Sequence, residues 1–370
     1  MKILANYLPQ YHVIPENSLW WGEGYTDWVS TKNAKPLFPG HVQPKRPLHN
    51  YYYSLDNPED IRWQARIARE YCLDGFAIYH YWFSSNLRLL TKPAEIILQN
   101  KDIDIDYLFL WDNTTWARSW SGFGNDWAPS YEKRAHENGG SGGVLAKLEY
   151  GNVEDWNIHF QYLLPFFKDS RYIKIDNRPV LGFMKPLNGY NAIVEMSGYW
   201  NELAKEHGFD GLYCMTRDQF KIRHRHDQLS HKFLYANGIP NTPYGWLCEK
   251  FKTWRMEKFG SLRLYDYDLM WRSIIRYSKR RDNETFLSAL VSFDDSPRRG
   301  KRGRIYTGAT PAKFEKYLKQ LLNISKEQDK ELLFVSAWNE WGEGMYLEPD
   351  EENGYAWLEA LRSAIQSVNG

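Results

Sequence analysis

Eight short apolar runs alternate with longer segments of helical periodicity, and this alternation limits the fold more than any other feature of the chain. Between the runs, apolar residues recur about every 3.6 positions, as in helices that cover a sheet. Such alternation is typical of α/β proteins with a parallel sheet. The predicted strands are 3–7, 75–81, 107–111, 179–184, 211–216, 233–236, 289–293 and 332–337, and the helical segments between them include 58–71, 155–167, 192–207 and 311–328.

The number of strands predicts a (β/α)8 TIM barrel. A doubly wound sheet would show the same alternation, but no G-x-G-x-x-G follows any of the runs. No internal repeat or linker divides the 370 residues, so we expect one barrel domain over 1–370. Residues 121–152 have no clear period and contain GGSGG at 139–143. They predict an extended inserted loop after the third strand, which suits a mobile lid better than a phosphate cradle.

The composition argues against several classes of protein. Lys and Arg total 47 against 46 Asp and Glu, a balance that argues against binding to nucleic acid. The three cysteines contain no C-x-x-C pair, so neither a disulfide framework nor a zinc knuckle is expected. HRHD, at 224–227, offers two histidines without an evident third ligand, and a surface charge cluster is the favoured interpretation. We predict no metal and no cofactor.

Targeting segments are also not evident. The apolar stretch in MKILANYLPQYH is too short for a signal peptide, and no segment reaches the 18 or so apolar residues of a membrane span. These observations predict a cytoplasmic protein without a membrane span and leave peripheral membrane association open.

Aromatic and polar side chains collect where the predicted strands end. Five of the eight strands lead into such residues, in YLPQYH, YHYWF, WDNTTW, FDDSPRR and WNEWGEG. The carboxyl ends of barrel strands form one rim, where barrel enzymes place their active sites, and flat rings beside polar groups suit sugars. The candidate substrate-binding residues are Tyr7, Gln10, Trp20, Trp21, Tyr25, Asp27, Trp28, Tyr79, His80, Tyr81, Trp82, Trp111, Asn113, Trp116, Asp294, Asp295, Trp338, Asn339, Trp341, Tyr346 and Glu348.

Two carboxylates, Glu340 and Glu343, follow the eighth strand and are separated by Trp341 and Gly342. A tight turn at Gly342 can bring both side chains to one face, and a carboxylate pair flanking the scissile bond is how most glycosidases work. The alternative is a pair of solvated loop charges. The position after the last strand, between tryptophans, favours the catalytic interpretation.

Other polar residues at the rim have two interpretations each. His80 is expected either to bind a sugar hydroxyl or to lie in the core with its hydrogen bonds satisfied. Asp294 and Asp295 face opposite ways if they continue a strand, so one is expected to bind sugar and the other to pair with a nearby arginine. Asp112 and Asn113 are alternative candidates for a residue that binds sugar at the rim.

The run RRGKRGR, at 298–304, carries five basic residues in seven. Such a run is usually a solvated loop. A phosphate grip for a lipid pyrophosphate carrier or an anionic glycan is the functional alternative, because basic clusters concentrate anions and barrels often bind phosphate after the seventh strand.

Five blocks of the sequence resemble the WbsX-like family of bacterial surface-polysaccharide gene clusters, which is similar to glycoside hydrolase family 99. They are YLPQYHVIPENSLWWGEGYTDW, DGFAIYHYWF, LLPFFKDSRYIKIDNRPVLGF, FDDSPRR and WNEWGEGMYLEPD, between residues 3 and 361. The resemblance implies a (β/α)8 barrel with both catalytic carboxylates in the segment N-E-W-x-E. Glu340 would then take the proton of the substrate's own 2-hydroxyl, while Glu343 protonates the leaving oxygen and later activates water.

The chain departs from the usual pattern of this family at two places. Most members read N-E-N-W after the third strand, whereas here Thr114 and Thr115 stand between Asn113 and Trp116. Asp27 stands where glutamate is commoner. The match also makes Asn113 the preferred residue over its neighbour, and the 121–152 insertion looks longer than usual, so one wall of the cleft is expected to be particular to this chain.

Three functions follow from these patterns. The first is a retaining glycosidase or transglycosidase that acts on a bacterial polysaccharide or its oligosaccharide precursor, free or lipid-pyrophosphate-linked. The second is a glycosyltransferase of O-antigen or capsule assembly, although no D-x-D motif or Rossmann-type nucleotide turn is found. The third is a non-catalytic glycan-binding barrel. The sequence makes no prediction of the sugar, the linkage or the oligomeric state.

Overall fold

A computed structural model of the chain describes residues 1–117, 143–218, 229, 231–236 and 243–369. Most of the predicted loop 121–152, including GGSG at 139–142, lies outside these residues, and so does the HRHD segment.

Eight parallel strands close into a ring, so the (β/α)8 barrel predicted from the sequence is confirmed. The last strand pairs with the first at Lys2↔Leu332, and the first pairs with the second at Leu4↔Gly75, which leaves no open edge. Residues of the strands are almost all buried, as expected where helices cover a parallel sheet. The strands are β1 (Lys2–Tyr7), β2 (Gly75–Ser84), β3 (Asp106–Trp111), β4 (Arg178–Phe183), β5 (Tyr213–Arg217), β6 (His231–Phe233), β7 (Thr285–Leu290) and β8 (Leu332–Ser336).

Two strands begin at least two residues earlier than the sequence predicted. The prediction for β7 started at residue 289, but the strand begins at Thr285 and already contains Ser288. Both side chains are polar and fully buried, so hydrophobicity alone misses this part of the strand. β6 begins at His231 and Lys232 for a similar reason.

Helices follow most of the strands and cover the outside of the ring. Asn57 caps the third helix, since its side chain accepts a hydrogen bond from the Glu59 N–H at 3.2 Å and Pro58 occupies the first turn. The helices are α1 (Pro15–Trp21), α2 (Asp27–Lys32), α3 (Pro58–Glu70), α4 (Lys92–Gln99), α5 (Val153–Lys168), α6 (Tyr190–Glu206), α7 (Pro243–Phe259), α8 (Tyr267–Ser278), α9 (Ser296–Arg299), α10 (Pro311–Glu327) and α11 (Ala356–Asn369).

Short elements build the rim at the carboxyl ends of the strands. The helix α2 follows β1, and α9 follows β7. After β8, Asn339–Glu340 and Met345–Tyr346 form a two-stranded ribbon whose turn is the 3-10 helix Trp341–Glu343. A second ribbon pairs Trp116–Ala117 with Val144–Ala146. Within the described ranges, no helix combines the length and the apolar character needed to cross a bilayer.

Candidate active site

A cavity of about 310 Å³ opens at the carboxyl ends of the strands, within the size range of small-molecule sites. Its wall includes residues that follow β1, β3, β4, β6, β7 and β8, together with residues of β2 and β5. The charged side chains in the wall are Asp112, Lys185, Arg217, Arg298, Arg299, Glu340 and Glu343, and the aromatic ones are Trp21, Tyr79, Tyr81, Trp116 and Tyr235.

Arg298 joins three carboxylates from three parts of the rim. Its Nη2 lies 2.8 Å from Asp27 Oδ2 and 3.2 Å from Glu340 Oε2, and its Nη1 lies 2.8 Å from Glu343 Oε1. Its Nε also donates to Asp27 Oδ1 at 3.2 Å. The guanidinium fork therefore holds the two glutamates in one fixed arrangement at the cavity wall.

Glu340 is the more buried of the two glutamates, with a side chain 5% exposed against 22% for Glu343. Burial, followed by the charge of Glu343, raises the pKa of Glu340 to about 8, with Asp27 acting in the same sense and Arg298 opposing it. Burial disfavours the charge of Arg298, yet the three carboxylates hold its pKa well above the usual value. The cluster therefore favours a proton on Glu340 more than an exposed position would.

One oxygen of Glu343 has no protein partner in the described part of the chain. Oε1 accepts from Arg298, whereas Oε2 is buried and forms no hydrogen bond with any described residue. A buried carboxylate oxygen without a donor is costly. It is the kind of group that a bound substrate can satisfy.

Gly342 permits the close packing of this cluster. A Cβ atom at this position would lie 2.6 Å from Arg298 Nε and 2.6 Å from Asp27 Oδ2. Gly344 has φ +55°, and a Cβ there would lie 2.9 Å from the Cβ of Asp294. The two glycines of WGEG therefore let the turn between the glutamates approach the residues that follow β1 and β7.

The turn is anchored to β1 by hydrogen bonds on its other side. Asn339 accepts from the Leu8 N–H at 2.7 Å and donates to the Leu8 carbonyl at 3.0 Å. The Tyr11 hydroxyl donates to the Asn339 carbonyl at 2.6 Å and accepts from the Trp341 N–H at 3.1 Å. These contacts hold the peptide groups of Asn339 and Trp341, on both sides of Glu340, and so position Glu340.

Glu348 supports the turn from beneath. It accepts hydrogen bonds from Trp341 Nε1 at 2.6 Å, Gln64 Nε2 at 2.7 Å and the Tyr53 hydroxyl at 2.9 Å. Burial raises the pKa of Glu348 to about 7 against these donors. Tyr346 stacks on Trp341 with ring centres 3.7 Å apart. This layer positions the site without contacting the cavity.

The two aspartates after β7 divide into different roles. Asp294 accepts from His41 at 2.7 Å and Gln43 at 2.6 Å, and its N–H donates to the carbonyl of Glu343 at 2.6 Å. Asp295 pairs with Arg299 at 3.1 Å. The expected pairing of one aspartate with an arginine is present, but the side chain of the other is engaged by His41 and Gln43 and does not line the cavity.

The basic run 298–304 does not act as a separate cluster of free cations. Arg298 is committed to the carboxylates of the site, and Arg299 is paired with Asp295. Arg304 lies 3.9 Å from the same Asp295 carboxylate. In the phosphate grip considered from the sequence, most of the positive charge is therefore paired with carboxylates of the chain.

Seven of the residues predicted from the sequence line the cavity. Glu340 and Glu343 are among them, and the prediction that a turn at Gly342 brings both side chains to one site agrees with the geometry. The others are Gln10, Trp21, Tyr79, Tyr81 and Trp116.

The remaining predicted residues lie outside the cavity lining, so direct contact with a ligand in this cavity is not supported for them. Several of their polar atoms have partners within the protein: Tyr7 donates to Gln64 at 2.7 Å, and the Nε1 atoms of Trp28 and Trp111 each donate to a carbonyl at 2.9 Å. A role for these residues in substrate binding remains a prediction. The residues concerned are Tyr7, Trp20, Tyr25, Asp27, Trp28, His80, Trp82, Trp111, Asn113, Asp294, Asp295, Trp338, Asn339, Trp341, Tyr346 and Glu348.

His80 occupies the satisfied core position that was its alternative interpretation. Its Nε2 lies 2.8 Å from Nε2 of His159, and Trp82 stacks on His159 at 4.0 Å. Burial lowers the pKa of His80 to about 3, so the ring is neutral. Asn113 is likewise internal, because it donates to the Tyr150 hydroxyl at 2.8 Å and accepts from the Lys185 N–H at 2.8 Å. Its neighbour Asp112 lines the cavity instead.

Sequence reasoning missed Arg298, Lys185, Arg217 and Tyr235 as residues of the site. Lys185 follows β4, and Arg217 is the last residue of β5. The rule that strand ends build the site would have found both, but neither residue is aromatic or acidic, as the residues expected in a sugar cleft were. Among the described residues, no group of three or more histidine, cysteine or carboxylate side chains is arranged to hold a metal ion.

Comparison with known proteins places the chain in a family. The model of the family described as "Glycosyltransferase WbsX" matches residues 3–361, which is nearly the whole length. The chain belongs to the WbsX family. The resemblance noted in the sequence is thereby confirmed.

Curated relatives of this WbsX-family chain come from Xanthomonas campestris pv. campestris. A protein described as "Uncharacterized protein WxcX" is 30% identical over 373 residues, covering 98% of this chain and 49% of the relative. The same protein in a second strain is 29% identical. The chain thus spans about half the length of the curated relatives it matches.

Solved structures similar to the WbsX-family chain share its barrel. The family 99 endo-α-mannosidase of Bacteroides thetaiotaomicron, in complex with Bis-Tris propane, superposes with a TM-score of 0.60 and 12% identity, covering 100% of this chain and 97% of that one. A structure described as a glycoside hydrolase-like protein superposes with a TM-score of 0.58 and 12% identity over 98% of this chain and 93% of that one. At this identity the similarity establishes the fold.

Proposed function

We propose that this WbsX-family chain is a carbohydrate-active enzyme that cleaves or transfers a glycosidic bond with retention, using Glu340 and Glu343. The observation that carries the proposal is the shared hold of Arg298 on both glutamates at the wall of one cavity. A single cation between two carboxylates fixes their spacing, as a reaction at one anomeric centre requires. The similarity to family 99 structures agrees with this chemistry.

The proposed reaction uses the substrate's own 2-hydroxyl as the nucleophile. Glu340 takes the proton of that hydroxyl while its oxygen bonds to the anomeric carbon, and the bond from that carbon to the leaving oxygen breaks. Glu343 gives its proton to the leaving oxygen and then takes one from water, or from an acceptor hydroxyl, whose oxygen bonds to the anomeric carbon. The bond from that carbon to the 2-oxygen breaks in this step, and Glu340 returns its proton to the 2-oxygen. Routes that use a group of the substrate are known exceptions to the direct carboxylate nucleophile.

The electrostatics of the site favour a proton on Glu340, the proposed base, whose pKa is raised to about 8. The proposed roles therefore require the proton to pass to Glu343 when substrate binds. Turnover by this route needs one proton between the two carboxylates. A base with a raised pKa is also a stronger acceptor for the proton of a sugar hydroxyl.

The proposal is tested with defined bacterial surface oligosaccharides, incubated without sugar nucleotide and followed by mass spectrometry. Wild-type protein should shorten or rearrange at least one glycan, and Glu340→Gln and Glu343→Gln should each lower its turnover by two orders of magnitude or more. Equal turnover by wild type and both variants would refute the assignment.

A glycosyltransferase is the second candidate, because the family description names that activity. A transferase would require a sugar-nucleotide or lipid-phosphate donor. Supplying sugar nucleotides together with an acceptor oligosaccharide separates the two candidates: an elongated product that appears only with the nucleotide favours the transferase. A product formed from the oligosaccharide alone favours the retaining glycosidase or transglycosidase.

A further inference from the structure

The helix α7 turns large apolar side chains outward at the rim of the barrel. It stands between the end of β6 and the start of α8, where the Tyr267 hydroxyl donates to the Val291 carbonyl just after β7 at 2.6 Å. The chain therefore enters and leaves α7 at the end of the barrel that holds the cavity. Exposed apolar residues scattered singly are ordinary, but five on one helix form a patch. They are between 48% and 64% exposed: Trp246, Leu247, Phe251, Trp254 and Phe259.

Basic side chains alternate with aromatic ones along this outward face. Side chains four residues apart lie one above the other on a helix, and one such row consists of Trp246, Lys250, Trp254 and Lys258. The Lys250 ammonium lies 5.6 Å from the ring centre of Trp246. The Lys258 ammonium lies 5.6 Å from the ring centre of Trp254. The rings and the cations thus form one mixed surface.

The inner side of α7 is held to the rim by polar contacts. Glu249 pairs with Arg263 at 3.0 Å and accepts a hydrogen bond from Tyr265. Lys252 donates to a backbone carbonyl of the same short strand, Arg263–Asp266. These contacts fix the helix and leave its aromatic row uncovered.

The composition of the outward face favours a lipid surface over a protein partner. Within residues 245–259, the exposed cations Lys250, Arg255 and Lys258 stand against the exposed carboxylate of Glu257. The face is therefore positive and complements anionic lipids. Aromatic rings settle at the level of the lipid headgroups, and lysine side chains reach the phosphates while their stems contact apolar groups. The cores of protein interfaces are instead poor in lysine.

We propose that the outward face of α7 docks on an anionic membrane surface. The 17-residue helix lies along the surface, because its exposed apolar groups follow its length from Trp246 to Phe259. The rings insert at the level of the headgroups, and Lys250 and Lys258 contact lipid phosphates. Since α7 belongs to the rim that holds the cavity, docking brings the cavity close to the membrane, where a lipid-linked glycan would present its sugars. This last consequence rests on the proposed function, whereas the docking itself does not.

Sedimentation with vesicles tests the docking on the full chain without turnover. Vesicles of phosphatidylcholine mixed with phosphatidylglycerol are compared with vesicles of phosphatidylcholine alone. Wild-type protein should sediment with the anionic vesicles, and added salt should weaken this binding because it screens the cations. Lys250→Gln and Lys258→Gln should each weaken it about fivefold, the scale of one basic residue near an anionic surface. Trp254→Ser should weaken it about tenfold, because a large ring no longer enters the interface.

Matched substitutions on other faces separate docking from general effects of charge and apolar surface. Lys316→Gln removes an exposed lysine of α10, and Ile158→Ser removes an exposed apolar side chain of α5. Both variants should bind the vesicles like wild type. Phe259→Ser is a second variant of the face if Trp254→Ser unfolds at a lower temperature. Turnover of a soluble oligosaccharide should be unchanged in Lys258→Gln, since this residue does not line the cavity.

The docking would be contradicted if wild-type protein failed to sediment with anionic vesicles or bound both kinds of vesicle equally. Unchanged binding by folded Lys258→Gln and Trp254→Ser would contradict it as well. A wild-type dimer in light scattering that Trp254→Ser converts to a monomer would assign the face to a second copy of the chain and overturn the proposal. None of these results bears on turnover of a soluble glycan by Glu340 and Glu343, so the two proposals fail separately.

Discussion

Arg298 and Asp27 form a buried ion pair in which two guanidinium nitrogens donate to the two carboxylate oxygens, at 2.8 Å and 3.2 Å. The pair connects the helix after β7 to the helix after β1, and the same guanidinium reaches Glu340 and Glu343. The spacing of the proposed catalytic pair therefore depends on contacts between segments about 270 residues apart in sequence.

Removal of Arg298 should damage both stability and activity. Arg298→Met leaves three carboxylates without their cation, and breaking a buried ion pair in this way costs about 3–5 kcal/mol. Arg298→Lys keeps the charge but loses the fork, so a smaller loss of stability is expected. Urea unfolding measures both variants. A loss within 0.5 kcal/mol of zero for Arg298→Met, roughly the scale of an ordinary surface substitution, would contradict the buried cluster.

Gly342→Ala should impair turnover more than folding. The added Cβ would stand 2.6 Å from Arg298 Nε and 2.6 Å from Asp27 Oδ2, so the cluster must open and the two glutamates must separate. Gly208→Ala is a control for the kinetics only: Gly208 does not line the cavity and a Cβ there meets nothing within 4 Å, although its φ of +87° strains an alanine. We expect kcat/KM to fall at least tenfold in the first variant and to stay unchanged in the second. Wild-type kinetics in Gly342→Ala would contradict the close packing.

The stability of the protein should decrease as the pH rises from about 4.5 to about 8. The folded-state pKa of Glu340, about 8, lies above the ordinary value of 4.5, so the folded protein binds the proton more tightly than the unfolded chain does. Folding is then favoured at low pH and penalised once Glu340 ionises. Glu340→Gln lacks this penalty.

Thermal unfolding of wild type and Glu340→Gln at several pH values measures this difference. The variant should gain in unfolding temperature relative to wild type between pH 5 and pH 8.5. Arg298, Asp27 and Glu343 face Glu340 in both proteins, so their contribution is shared to a first approximation. A difference that stays constant with pH would mean that Glu340 titrates normally.

The pH dependence of activity should show a descending limb near pH 8. The glutamate pair needs one proton to supply the acid, and above the raised pKa that proton is lost. This descending limb reports the glutamate pair as a whole and does not identify which of the two glutamates donates the proton. A profile of kcat/KM that stays level to pH 10 would argue against the pair as the source of the proton.

The leaving group separates the roles of the two glutamates. An aryl glycoside of the sugar identified in the glycan screen needs little protonation as it departs, so Glu343→Gln should retain much of its turnover of this substrate. Glu340→Gln should remain inactive, because the 2-hydroxyl still needs a base. Initial rates with aryl and natural leaving groups provide the comparison. The opposite pattern would exchange the two roles.

The sequence predicts the barrel well because each strand and helix carries its own pattern. The apolar runs and the cap at Asn57 are local signals. Parts of strands with buried polar residues, such as Thr285 and Ser288, are not detected by these signals. Glu340 and Glu343 are also predictable, because a segment that directly follows β8 must lie at the rim formed by the carboxyl ends of the strands. Which side of the wall a side chain occupies is not local, and this explains why Trp28 and Trp111 were expected at the cavity.

The cation network shows most clearly what the sequence does not reveal. In the sequence, Arg298 is one of five basic residues in a run that predicts a loop. Only the fold shows that Asp27 and the two glutamates surround it. Lys185 and Arg217 are separated by 32 positions and become neighbours because β4 and β5 pair. Both residues line the cavity, and no residue pattern in the chain reports that they do.

The most direct test of the account follows the products of an active oligosaccharide in H2¹⁸O, without sugar nucleotide, by mass spectrometry and NMR. Wild-type protein should place one ¹⁸O at the new reducing end, with the anomeric configuration of the cleaved bond retained in the first-formed product. Glu340→Gln and Glu343→Gln should form little of this product. Labelled product in equal amounts from wild type and both variants, or product of inverted configuration, would contradict the account.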